Sequence, residues 1–382
     1  MFATQDQGNR RAGGRGLTRN HGSLARGLHQ AAVGAVCAAA VALPLISAAG
    51  AEAATSAPHA LTSSWTSLAL HNGWSDYGFG TAGPAVKNIS GIVHFKGAIA
   101  TQGTNQVPFT LPVGDRPGTE VAVPVDQSGA TVGTLDLQPS GVVTVEAEDS
   151  NWSNAQLLTS LDGASFATSG NSFTKLTLTN GWINYAPPMA SAAVRSISGI
   201  VHFRGAVMTE GSGVMPFILP TAFRPAHTVY VPVDLCGSSN GRLDISPSGE
   251  VDVEAENGPQ WIPQCPVSLD GAWFAKSASL YTPLTLQNGW ISYGSGTISP
   301  AVRKINGIVH FEGAMYNGAN SQAFTLPVGF RPSHYVYVSV DTNVATRGHI
   351  VIAPDGQVNV IGEGTQSDAT LFTSLDGVSF AT

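Results

Sequence analysis

Three histidines, His94, His202 and His310, stand 108 positions apart, each inside the run Gly-Ile-Val-His-Phe. Three equivalent imidazoles meeting at one point could bind a metal or titrate near neutrality. Strand alternation sets each one on the face opposite its Val and Phe neighbours, so a solvent face or a hydrogen bond between copies accounts for them equally well. No metal is assigned to them. Trp74, Trp182 and Trp290 each follow an Asn-Gly turn, with Tyr77, Tyr185 and Tyr293 three residues later. An aromatic platform beside a few polar groups is one way to hold a sugar face. The alternative is that these rings close one end of a small core, and their faithful repetition favours it. Glu146 and Glu148, like Glu254 and Glu256, lie two apart on one strand face. Paired carboxylates serve glycoside hydrolysis. Neighbours on one strand cannot flank a bond from opposite sides, however, and Ile361 replaces the first acid in the third copy.

Other repeated polar residues read as framework. Arg116, Arg224 and Arg331 precede proline, and Asp126, Asp234 and Asp341 end a strand, which suits ion pairing or turn formation. Asp162, Asp270 and Asp376 read as the first half of Asp-Gly turns. Binding loops tend to vary on a fixed scaffold. The divergent segments are Ala100–Val107, Met208–Met215 and Met315–Gln322, with Asp149–Gln156, Asn257–Gln264 and Gly364–Ala369. They hold Tyr316, Trp152 and Trp261, the first places to look for ligand contact. No Gly-x-Ser-x-Gly, phosphate loop or His-Glu-x-x-His is present, and neither an enzyme nor a cofactor is expected.

The elements that must position these residues come in threes. Asn72-Gly73-Trp74, Gly91–Phe95, Leu111-Pro112, Arg116-Pro117 and Ser160–Gly163 recur in the same order three times, at a period near 108. That is long enough for each copy to bury its own core and too long for a solenoid unit. Copies are expected at 64–168, 169–277 and 278–382. Within copy one, alternation predicts strands at Ser67–Leu70, Ala85–Ile89, Ile92–Ile99, Val107–Leu111, Glu120–Val125, Gly133–Leu137, Val142–Ala147 and Leu158–Leu161, punctuated by Gly turns and without a helix. The fold class is all-β: three tandem antiparallel β-sandwich domains, jelly-roll-like. The joints are so short that the copies must nearly touch.

Residues 1–53 read as an export signal, with Arg10, Arg11, Arg15, Arg19 and Arg26 before the apolar run Ala31–Gly50 and the small-x-small site Ala51-Glu52-Ala53. Residues 54–63 form a short linker. A retained anchor is the alternative, but the run is mostly alanine and carries Pro44. Cleavage removes five basic and two acidic residues, leaving 13 and 23, a net charge of −10. That surface suits neither nucleic acid nor an anionic membrane. A secreted location follows, with no membrane insertion after cleavage. In that setting Cys236 and Cys265, found in one copy alone, read as a disulfide.

The order Leu68–Trp74, Gly91–Gly97, Phe109–Pro117 and Ser160–Phe166, matched in the other copies, resembles the C-terminal head domain of bacteriophage tail fibres and minor tail proteins. Copy two departs from it, with Trp273 in place of a serine. The resemblance implies a compact β-sandwich that associates in threes to recognise a surface receptor, often a glycan. Three copies on one chain then suit an intramolecular pseudo-trimer. The expected partner is a cell-surface glycan or surface protein, with protein assembly as the alternative role.

Overall fold

A computed structural model of the chain describes residues 64–168, 172–211, 213–256, 266–277 and 279–382, apart from the side chain of Asp149. The expected signal segment 1–53, the linker 54–63, Trp261 and Cys265 lie outside the described residues. The chain is all-β, built of antiparallel sheets. In repeat one the strands are β1 (Thr66–Ser67), β2 (Trp74–Asp76), β3 (Ala85–Ile89), β4 (Ile92–Lys96), β5 (Ala98–Thr101), β6 (Phe109–Thr110), β7 (Val121–Asp126), β8 (Val132–Leu137), β9 (Val142–Ala147), β10 (Thr159–Ser160) and β11 (Ser165–Ala167). A short helix, α1 (Trp152–Leu157), precedes β10, and its counterpart in repeat three is α2 (Gln366–Leu371).

One sheet runs β1-β3-β4-β11, and the same four-strand order recurs in repeats two and three. Facing it in repeat one are a three-stranded sheet, β10-β5-β2, and a four-stranded sheet, β6-β9-β8-β7. In the other repeats these two fuse into one seven-stranded sheet. The fusion rests on pairs such as Asp234 with Ser268, where repeat one has a single bridge between Gln127 and Thr159. Alternation explains the strands themselves. β7 reads Val-Ala-Val-Pro-Val-Asp, with its valines buried and Ala122 and Pro124 half exposed. Three phenylalanines anchor each core: Phe95, Phe109 and Phe166 in repeat one, with centroids 6.1 to 6.4 Å apart, and equivalent trios in the others.

Four sequence expectations need correction. The run Ile92–Ile99 is two strands, because Gly97 turns the chain at φ 94° and hands it from one sheet to the next. A Cβ there would sit 2.6 Å from the carbonyl oxygens of Ala82 and Gly83, so glycine is required. β2 and β11 are strands where none was expected. The helices α1 and α2 occupy segments read as loops. The aspartates of the Ser-Leu-Asp-Gly motif do more than open a turn. The Oδ1 of Asp162, Asp270 and Asp376 accept the backbone N–H of Gly97, Gly205 and Gly313, so the motif pins each strand switch.

That motif also ties the repeats together. Ser160 Oγ donates to Tyr337 O at 2.7 Å, Ser268 Oγ to Ala122 O at 2.7 Å and Ser374 Oγ to Tyr230 O at 2.8 Å. Repeat one thus holds three, three holds two, and two holds one. The motif glycines Gly163, Gly271 and Gly377 lie against Val338, Val123 and Val231 in the same cyclic order.

Candidate functional site

A groove of about 430 Å³ lies on the side of repeat one. β2 and β5 form its floor through Ser75 and Ala100, which face each other across the ladder. The loop after β2 supplies Tyr77 and Phe79, whose rings lie 5.0 Å apart at 47°. α1 supplies Gln156, and the segment after β5 supplies Gln102. Phe79 is 82% exposed and sits at φ 48°, a conformation that a bulky residue rarely adopts. The loop holds it there. Thr81 bonds back to Gly78 O through its N–H at 2.9 Å and its hydroxyl at 2.7 Å, and Tyr335 N–H of repeat three donates to Gly80 O at 2.9 Å. An exposed ring in a costly backbone geometry, braced from two sides, is what a binding surface needs. Gln156 Nε2 and Trp152 Nε1 both donate to Gly103 O, at 2.8 and 2.9 Å, which fixes α1 against the Ala100–Val107 segment. Asp76 is the single acid among the described residues that line the groove.

Sequence reasoning pointed to Tyr77 and to both divergent segments of repeat one, and the structure brings these together. It does not bring the other aromatic candidates into the groove. Trp74, Trp182 and Trp290 are 5%, 4% and 2% exposed, so the expectation of an open platform is corrected. Their indoles donate to Asn105 O, Gly213 O and Asn320 O, each at 2.8 Å, and the rings close one end of each core. Trp152 packs edge-on to Trp74 at 5.9 Å, anchors α1 through its bond to Gly103 O, and lines a separate opening of about 290 Å³ with Gln106, Glu146 and Ser150. Tyr185 is half buried beside exposed Ala186, Pro187 and Pro188. Tyr293 and Tyr316 pack against one another at 5.7 Å, with Phe372 4.7 Å from Tyr293. Phe79 was missed because no rule marks a lone loop phenylalanine. Its one signal was the Gly-Phe-Gly setting, which lets the chain turn on both sides.

The three repeats meet at two polar clusters. His94, His202 and His310 are buried and line one cavity of about 30 Å³, with Ser90, Ser198 and Asn306 of the adjoining hairpins. Burial between repeats replaces the solvent face as the account of these residues. Burial, and then the other two imidazoles, hold His94 well below the usual range. Burial, followed by its neighbours, brings His202 down to about 3 and His310 to about 4. The ring is therefore neutral near neutrality. Among the described residues, no group of three or more His, Cys, Asp or Glu is arranged to hold a metal ion.

The second cluster uses unlike residues. The strand-end aspartates are each met by the preceding repeat in the ring: Thr134 donates to Asp234 at 2.6 Å, Arg242 to Asp341 at 3.2 Å, and His349 Nδ1 lies 2.9 Å from Asp126. Beside them one repeat position carries Val132, Asn240 and Arg347. Arg347 is fully buried. It donates to Asn240 Oδ1 at 3.0 Å and to the carbonyls of Val233 and Gly241 at 2.7 and 3.1 Å. Asn240 Nδ2 then faces Glu148, Glu256 and Glu363 at 3.0, 2.7 and 3.3 Å. An amide nitrogen has two hydrogens, so three carboxylates cannot all be satisfied by it as anions. Burial, then the Glu363 carboxyl, pushes Glu148 up to about 8, and these two acids hydrogen-bond with each other.

Cys236 follows the strand Val229–Leu235, while Cys265 lies outside the described residues. No helix among the described residues is long and apolar enough to cross a membrane. No protein family, no curated protein and no solved structure matches the chain.

Proposed function

We propose that this chain is a secreted, non-catalytic recognition protein that binds a cell-surface glycan in the groove of repeat one. The observation that carries the reading is the groove itself: a braced pair of rings, Tyr77 and Phe79, opposite the amides Gln102 and Gln156 in a space of about 430 Å³. An apolar ring face flanked by a few oriented amides matches the alternating C–H and hydroxyl faces of a sugar. A single carboxylate, Asp76, can accept from sugar hydroxyls. Hydrolysis by the usual route calls for a second acid across the bond, which supports binding without catalysis. The tail-fibre resemblance of the motifs supports the same reading, as do the cyclic contacts, which suit one chain acting as an intramolecular trimer. Export and a Cys236–Cys265 disulfide belong to the same proposal, and peptide mapping without reductant checks the pairing.

The test is a glycan array and a bacterial cell-wall pull-down with the purified chain at physiological salt. Saturable binding to a defined glycan, reduced about tenfold or more by Tyr77→Ala or Phe79→Ala with unfolding unchanged, supports the proposal. Recovery of a protein partner with no carbohydrate bound would instead place the heads in assembly and reject the glycan reading.

A further inference from the structure

The geometry points to a single open groove of this kind among the described residues, with the residue at position 100 setting which repeat carries it. This inference rests on the glycan-binding reading of the groove. β2 pairs with β5 so that Ser75 opposes Ala100, and in repeat three Ile291 opposes Tyr316 in the same register. Ala100, Met208 and Tyr316 are therefore one repeat position. In repeat one the methyl of Ala100 leaves the floor bare, and Tyr77 is open to the groove. In repeat three the Tyr316 ring stands on that floor and packs edge-on against Tyr293, the counterpart of Tyr77. Tyr293 is pressed from its other side by Phe372. In repeat two Met208 stands at the same place.

Two further positions agree. Phe79 is replaced by Pro187 and Ser295, and Gln102 by Glu210 and Gly318. A Cβ at Gly318 would run into the Trp290 indole, so repeat three cannot regain an amide there without moving its core tryptophan. The three-fold recurrence of the framework thus does not extend to the groove. Among the described residues repeat three offers no such open floor, so a site in every repeat is not available to this chain.

Valency and gating are tested by two independent measurements. Hydroxyl-radical footprinting reads ring exposure without any ligand. Ala100→Tyr is expected to protect Tyr77 severalfold, and Tyr316→Ala to expose Tyr293 by a similar factor. Both substitutions lie on a half-exposed sheet face, and Ala100→Tyr installs the residue that repeat three already carries. A printed glycan array at sparse and dense spotting then reads valency. A one-site chain keeps its apparent affinity within about twofold between the densities, whereas three linked sites would gain about 100-fold or more on dense spots. Ala100→Tyr is expected to abolish retention at both. Unchanged footprints in both variants overturn the gate. A large density gain overturns the single site while leaving the glycan reading intact. No retention on any spot rejects the glycan reading and the inference with it.

Discussion

His94, His202 and His310 are three copies of one residue facing one another, and they leave an opening of about 30 Å³. Val132, Asn240 and Arg347 also share one repeat position, yet they interlock: a guanidinium donates to an amide oxygen, and the amide nitrogen turns to three glutamates. Neutral imidazoles can pass hydrogen bonds head to tail, but three identical groups around a point cannot supply the two opposite members of an ion pair. Unlike groups can. The histidine cluster stays neutral and loosely filled, while the Asn240 cluster holds a buried charge and a shared proton. Divergence between the repeats is thus what lets their meeting point hold a buried charge.

The strongest way to break that contrast is Arg347→Ala. It leaves Asn240 Oδ1 and two buried carbonyls without their donor and takes the positive charge from beside Glu148 and Glu363. Removing one partner from a buried charged network costs about 3–5 kcal/mol, to be read as a shift of the urea midpoint at constant m-value. A value near zero would mean that the cluster is solvated in solution.

The two clusters also answer pH in opposite senses. Glu148 titrates near 8 in the folded chain and near 4.5 when unfolded. Its contribution is whole below pH 4.5 and is lost as pH rises toward 8, because the unfolded state gives up its proton first. Discounted for its partial exposure, this amounts to about 1–2 kcal/mol. His202 and His310 titrate near 3 and 4, below the ordinary 6.5, so the unfolded state binds protons first and stability falls as pH drops from 6.5 toward those values. Maximal stability is expected between about pH 4.5 and 6.5. Melting curves across pH 3–9 check this. Glu148→Gln should make the alkaline limb shallower without abolishing it, since burial also raises Asp162, Asp234, Asp270 and Glu312, and His202→Asn should make the acid limb shallower.

The smallest expected effect compares the three serine clasps. Ser160→Ala, Ser268→Ala and Ser374→Ala each remove one hydrogen bond between repeats and should each cost about 1 kcal/mol in chemical unfolding. Unequal costs would show that one joint of the ring carries more of the load than the others.

Much of the scaffold was legible in the residues. Ala85–Ile89 and Val142–Ala147 fall where alternation sets them, since one face of each must be apolar. The strand break at Gly97 was recoverable in principle: the glycine recurs at 205 and 313, one variable residue after the same Gly-Ile-Val-His-Phe run, and only a backbone constraint demands that. β2 and β11 were not legible, being three residues long with no periodicity to detect, and α1 is six residues of mixed polarity. The polar clusters lay further out of reach. Asn240 meets Arg347 across 107 positions and Glu363 across 123, and sequence spacing holds no record of such pairings. The groove was half visible: variability marked its walls, and Tyr77 was among the candidate rings. The constancy of Trp74, Trp182 and Trp290 already favoured packing over an open platform, and their burial agrees.

The serine clasps close the ring within a single polypeptide. A ring of separate subunits falls apart when diluted below its dissociation constant. Here the partners are tethered, so their effective concentration is fixed by the joints and not by the surrounding volume. The ring therefore persists at a single molecule per cell.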